Sequence, residues 1–309
     1  MEIKIKDVLD LLTKSNYKFS FHGDRNEILE GFSTLFNYKK STITFVSSLN
    51  KFEDHESLFK GSKITLIVAD PSEAINSCFL NTIHIKNPKR AFFFILDNLF
   101  NSNLESESIR KMEVEDDNDH SFISKKAKVS VGVKVGINCI IEEDVVIGEG
   151  TVIHHNVVIR SGTKIGKNCT ILSGNIIGET GFNPLKLDDG TRMMVRHYGG
   201  VTIGDNVFIG DNCSISKGAI DDTIIESGVK INKKVIVAHN VLIGKNTVIT
   251  SPTFICGSVK IGSNCHIAAS VIKNQCTIGD EAILGLGSVV VKNVESKTTV
   301  VGNPAKELI

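Results

Sequence analysis

The chain has 309 residues, enough for two ordinary domains, with 35 basic and 35 acidic side chains and a formal net charge of zero. That balance leaves no electrostatic footprint for nucleic acid or an anionic membrane surface. The opening MEIKIKDVLDLL lacks the apolar run of a secretory signal, and no segment has the length of a membrane span. Seven cysteines form no CxxC pair, which argues against a zinc site or disulfide framework and for a reduced, cytoplasmic protein.

The first 100 residues read as α/β. EIKIKDVLDLLTKS has the spacing of an opening helix, and STITFVSS, KITLIVAD and NTIHIK read as short strands. NPKRAFFFILDNLF then opens a helix, with Asn87 expected as its cap and Pro88 in its first turn. No phosphate loop or dinucleotide fingerprint is present. Composition then changes: 12 of the 16 phenylalanines precede residue 101, and 23 of the 26 glycines follow it. Between the regimes lies the acidic stretch NSNLESESIRKMEVEDDND, too poor in apolar residues to pack a core. The expected division is an α/β domain over 1–105, a linker over 106–120, a repeat domain over 121–293 and a short tail over 294–309.

The repeat domain carries an aliphatic residue every sixth position. Ile123, Val129, Val135, Ile141, Ile147, Ile153, Ile159, Ile165, Ile171 and Ile177 keep this beat without a break, and it resumes from Ile203, from Ile225 and from Ile278. Neither a helix nor a lone strand has period six. A short strand of period two followed by a turn does, and such hexapeptide repeats mark a parallel β-helix. Three strands per coil give 18 residues per coil and about eight coils in all, with each buried aliphatic contributing roughly 2 kcal/mol. Asn-Cys recurs at one place in the repeat (Cys139, Cys169, Cys213, Cys265), as expected of small buried hydrophobes. GETGFNPLKLDDGTRMMVRHYGGV interrupts the beat, and residues 178–200 are expected as a loop ejected from the coil.

His239, in VIVAHNVLIG, stands two residues after the beat residue Val237, which puts it at a coil corner rather than in the interior. On spacing alone it is either a solvent-facing turn residue or a base. His154 and His155, also just past a beat residue, read as solvated turns.

Three stretches together resemble the UDP-3-O-acylglucosamine N-acyltransferases, which form an amide in lipid A assembly. They are ITFVSSLNKF with NPKRAFFFILDNLF, then GETGF with KGAIDDTIIESGVKI, and VAHNVLIG. The resemblance implies a left-handed parallel β-helix preceded by a small α/β, nucleotide-binding-like domain, assembled as a homotrimer. Handedness comes from the resemblance, since ordinary parallel crossovers are right-handed. The resemblance also implies that Phe45 and Phe52 sandwich a nucleotide base while Asn50 bonds to its edge. His239 would be the general base, and the Gly257 N–H, 18 residues later, the oxyanion donor. A sugar amine must lose a proton as it attacks a thioester, and a histidine can take it near neutral pH. His197, Asp221, Asp222, Asn240 and Gln275 complete the expected substrate contacts, with Asp221 and Asp222 either orienting the sugar or closing the break in the beat.

Three departures bear on the substrate. Gln275 stands where the family has a second histidine, Asn232 replaces an aspartate seven residues before the base, and the ending VVGNPAKELI resembles acetyltransferases that use coenzyme A. The expectation is therefore an N-acyltransferase acting on the amine of a nucleotide-linked amino sugar, with acyl-CoA favoured as co-substrate and no permanently bound cofactor or metal. The second reading is the lipid A step itself with acyl carrier protein. A zinc hydratase would need three converging histidines, and an ice-binding solenoid a threonine ladder; the repeats show neither.

Overall fold

A computed structural model describes residues 3–46, 65–68, 81–100 and 120–308. The chain divides into two units, Met1–Ile109 with Leu185–Arg196, and Arg110–Pro184 with His197–Ile309.

In the first unit the helix Ile5–Lys14 turns Ile5, Val8, Leu9 and Leu12 inward at helical spacing. A five-stranded sheet runs in the order Phe19–His22, Asn81–Ile85, Thr65–Val68, Thr42–Val46 and Gly31–Phe32. Its first pair is antiparallel and the others parallel. The helix Pro88–Ile95 ends in a π-helical turn, Leu96–Phe100. Pro88 sits in its first turn, but Asn87 makes no side-chain cap. The Asn87 amide instead donates to Asp188 Oδ1 at 3.3 Å, beside an Arg90–Asp188 ion pair of 2.7 Å. The interrupting segment accordingly forms a hairpin, Pro184–Lys186 with Arg192–Met194.

The second unit is a left-handed parallel β-helix of two- and three-residue strands on three faces. Nine strands stack on the first face, from Phe122–Ile123 to Val289–Val290, and eight on the second. The third face holds nine parallel strands ending at Thr299–Val301, and Lys306–Glu307 adds antiparallel to that last one. Strands thus continue past residue 293, and the coils slightly exceed the expected eight.

Each position of the hexad has a physical reason. In IGKNCT, Ile165 turns inward and is 3% exposed. Gly166 follows because a Cβ there would lie 2.6 Å from the Gly204 backbone of the next coil. Asn168 turns the corner at φ 53°, a left-handed conformation that asparagine tolerates better than most residues. Cys169 points inward again at 1% exposure. The four repeat cysteines are buried as expected, but they do more than fill space. Their thiols donate to carbonyls of the adjacent coil, those of His154, Gly204, Asn232 and Gly279, at 2.9–3.1 Å. Burial pushes all four thiol pKa values up.

Two features were not legible as beats. Ile255 pairs with Ile272, a coil of 17 residues, so the beat after Ile267 arrives one residue early. Between Ile177 and Ile215, which pair directly, lies the whole interrupting segment. Among the described residues no helix is long and apolar enough to cross a membrane.

Candidate active site

The expected site residues of the β-helix gather at one corner, where each coil passes from the first face to the second. Val237 pairs with Ile215 below and Ile255 above, so the turns beginning at Ser216, Ala238 and Cys256 are stacked. His239 and Gly257 occupy equivalent places on consecutive coils. The half-buried His239 ring lies against Gly257 so closely that a Cβ there would be 2.8 Å from both Cε1 and Nε2. Only glycine admits this approach.

At the next corner, between the second and third faces, the N–H groups two residues past the inward aliphatic are capped from the side. Those of Lys167, Asp205, Lys245 and Ser263 donate to the side chains of Asp205, Ser227, Glu226 and Asp280 at 2.7–3.0 Å. Among the described residues the Gly257 N–H has no such acceptor, and it stands beside an imidazole.

His239 is held on its other side. Its Nδ1 is 3.0 Å from Asn240 Oδ1. The same oxygen accepts the Ala219 N–H at 2.9 Å, and Asn240 Nδ2 donates to the Asp221 carbonyl at 2.9 Å. The Asn240 N–H in turn donates to Thr223 Oγ1, and φ of 58° fixes Asn240 in the left-handed region. KGAIDD thus serves as a bracket for the histidine turn.

The His197 ring stands edge-on to His239 with centroids 5.1 Å apart, and His197 is 3% exposed. Its Nδ1 accepts the Gly181 N–H at 3.1 Å, with the Lys217 carbonyl at 3.2 Å. Gly181 touches both histidines: a Cβ there would lie 2.6 Å from His197 Cε1 and 2.9 Å from His239 Cβ. Sequence reasoning quoted GETGF without assigning Gly181 this place. The available signal was a second glycine, four residues after Ile177, the last beat of the longest unbroken run. Ahead of it, Arg160 bridges Glu142 at 2.7 Å and Glu179 at 3.4 Å, which fixes the start of the insertion.

The other expected residues fall as follows. Asp222 receives the Gly200 N–H on Oδ1 and the Thr202 hydroxyl on Oδ2, both at 2.7 Å, so both its oxygens tie the insertion to the coil. Gln275 is exposed and its N–H donates to the Gly257 carbonyl; it shares the left-handed turn position of Asn240 one further coil up. Asn232 lies on the preceding corner, where its Oδ1 takes the Lys233 N–H. His266 is on the third face. His155 accepts the Ile137 N–H at 3.0 Å. Among the described residues no three His, Cys, Asp or Glu side chains converge as a metal site would require. In the first unit Phe45 is half-buried, its ring 4.9 Å from Phe92 and 6.3 Å from Phe93. Asn50 and Phe52 lie outside the described residues.

Comparison with known proteins agrees with this architecture. Residues 144–179 match the model of the bacterial transferase hexapeptide (six repeats), and residues 200–241 and 234–272 that of the hexapeptide repeat of succinyl-transferase. A UDP-3-O-acylglucosamine N-acyltransferase of Bordetella parapertussis is 40% identical over 116 residues, 37% of this chain and 32% of that protein. The chain thus spans about a third of the length of the first curated relatives it matches. The enzyme of the same name from Coxiella burnetii is 32% identical over 254 residues, covering 76% of this chain and 70% of that protein. Among solved structures, the UDP-N-acetylglucosamine O-acyltransferase of Moraxella catarrhalis is 28% identical with a TM-score of 0.57, over 62% of this chain and 73% of that one. LpxA from Acinetobacter baumannii is 27% identical, also with a TM-score of 0.57, over 62% and 72%.

These relatives correct one expectation. The reading that put a general nucleotide-linked amino sugar and acyl-CoA first is overturned, because the curated relatives bear the name of the second reading, the UDP-3-O-acylglucosamine enzyme. That expectation rested on Gln275, Asn232 and above all GNPAK, a turn at the last strand. That turn is remote in sequence from the His239 corner.

Proposed function

The chain belongs to the UDP-3-O-acylglucosamine N-acyltransferase family, and on that premise we propose that it transfers an acyl group from a thioester on acyl carrier protein to the sugar amine of UDP-3-O-acylglucosamine. The observation that carries the mechanism is the His239 imidazole seated on Gly257, one coil apart, beside an uncapped backbone N–H.

The steps follow from that pair. The amine attacks the thioester carbonyl while His239 takes its proton, and the Gly257 N–H donates to the oxyanion that develops. Collapse of the tetrahedral intermediate forms the amide and expels the thiolate, to which the imidazolium returns the proton. No covalent enzyme intermediate is needed. His197 and Gly181 back the base, and Asp222 closes the insertion around it. We assign the uridine end to the first unit, where Phe45 is half-buried.

We assign a homotrimer as the working form. The outward positions of the first face stack an apolar column that includes Phe122, Ile176, Ile236, Phe254 and Val271, each 41–53% exposed. Interrupted by Ser214, that column is suited to burial against second copies of the chain. The His239 corner borders it.

Replacing His239 by alanine is the direct test of the base. Turnover should fall about 10²–10⁴-fold, the range for general-base catalysis, with melting temperature and oligomeric state unchanged. Turnover near that of the parent would remove His239 from the mechanism.

A further inference from the structure

We infer that Asn240 is a positioning residue that sets the tautomer of His239, so that the base works with a neutral amide as its orienting partner rather than a carboxylate. The inference rests on the proposed role of His239 as base and adds what prepares it.

The argument is one of hydrogen-bond accounting. An asparagine amide presents one acceptor oxygen and one donor nitrogen, and neighbours decide which is which. Here both neighbours are backbone groups with fixed roles. The Ala219 N–H can only donate, so the atom it meets at 2.9 Å is Oδ1. The Asp221 carbonyl can only accept, so the atom it meets at 2.9 Å is Nδ2. The atom facing His239 Nδ1 at 3.0 Å is therefore an acceptor, and Nδ1 must carry the proton. In the neutral ring this leaves the lone pair on Nε2, the nitrogen that lies against Gly257. The amide thus holds the basic nitrogen toward the proposed oxyanion donor.

A carboxylate would accept the Nδ1 proton too, but it could not donate to the Asp221 carbonyl, and its charge would favour the imidazolium. The elements packed around His239 carry Glu179, His197, Lys217, Asp221, Asp222 and Cys256 as their titratable groups. Of these, His197 stands edge-on to the His239 ring. The bracket 219–221 reaches the base through the side chain of Asn240, which is uncharged.

Two variants separate positioning from folding. Asn240→Gly keeps a residue suited to φ of 58° and deletes the amide; Asn240→Asp keeps an acceptor and adds a charge. With ¹⁵N-histidine labelling, the resting parent protein should show His239 protonated at Nδ1 with a bare Nε2. Asn240→Gly should show a mixture of tautomers, with kcat lowered about 10²–10⁴-fold and KM within a few-fold. Asn240→Asp should retain the parent tautomer and more activity than Asn240→Gly, with the acid limb of its kcat/KM profile moved to higher pH. A parent His239 protonated at Nε2, or Asn240→Gly with an unchanged tautomer and unchanged kcat, would overturn the inference. The tautomer spectrum needs no turnover. If His239→Ala proved active while the spectrum came out as stated, the base assignment would fail and the tautomer control would stand.

Discussion

Gly257→Ala tests the reacting corner with a single methyl group. The new Cβ would lie 2.8 Å from Cε1 and Nε2 of His239, where 3.4 Å is the near limit of ordinary contact. The ring must therefore withdraw by at least about 0.6 Å. It cannot do so without loss, because Nδ1 is tied to Asn240 at 3.0 Å and Gly181 already touches the His239 Cβ position from the insertion. A misplacement approaching 1 Å costs about 10²-fold in rate, or about 2.7 kcal/mol of transition-state stabilisation. Gly257 does not adopt a positive φ, so alanine adds no backbone strain, and the variant keeps its N–H. Steady-state kinetics should show kcat down about 10²-fold and a melting temperature within a few degrees of the parent. Turnover within threefold of the parent would refute the claim that this contact sits at the chemistry.

The apolar column of the first face makes a second prediction. Phe254→Asp places a charge in the middle of it, and size-exclusion chromatography with light scattering should show the assembly dissociating. An unaltered trimer would move the interface to another face. The repeat cysteines make a third. Burial raises their thiol pKa values, so the reactive thiolate is scarcer than in a free thiol. Native protein at pH 8 should leave Cys139, Cys169, Cys213 and Cys265 unalkylated on a timescale that labels them fully in denaturant. Because the folded-state pKa lies above the unfolded one, their contribution to stability is complete below the ordinary thiol pKa and declines as pH rises through it. A melting temperature that rose over pH 8–10 would contradict that sign.

What the sequence made legible follows from how each feature is encoded. The β-helix announces itself because every coil repeats the same burial demand, and Ile141 to Ile177 meet it without a gap. The coil of 17 residues at Ile272 breaks the count by one and is invisible to a fixed period, although pairing restores it. His239 and Gly257 could be placed on neighbouring coils because both lie two residues past a beat. Gly181 and the bracket on Asn240 could not, since they depend on how two insertions of unrelated sequence fold back onto one corner. Asn87 was expected to cap a helix because asparagine before proline commonly does; here a tertiary partner, Asp188, takes its amide. The thiols were read as inert volume, and the structure gives each an acceptor carbonyl.

The account is tested most directly by the bond it says is made. Purified protein given UDP-3-O-acylglucosamine and an acyl thioester on acyl carrier protein should yield a doubly acylated product whose new acyl group survives mild alkali, as an amide does, and His239→Ala should not yield it. A new acyl group released by mild alkali, the mark of an ester, or transfer only to UDP-N-acetylglucosamine, would contradict it.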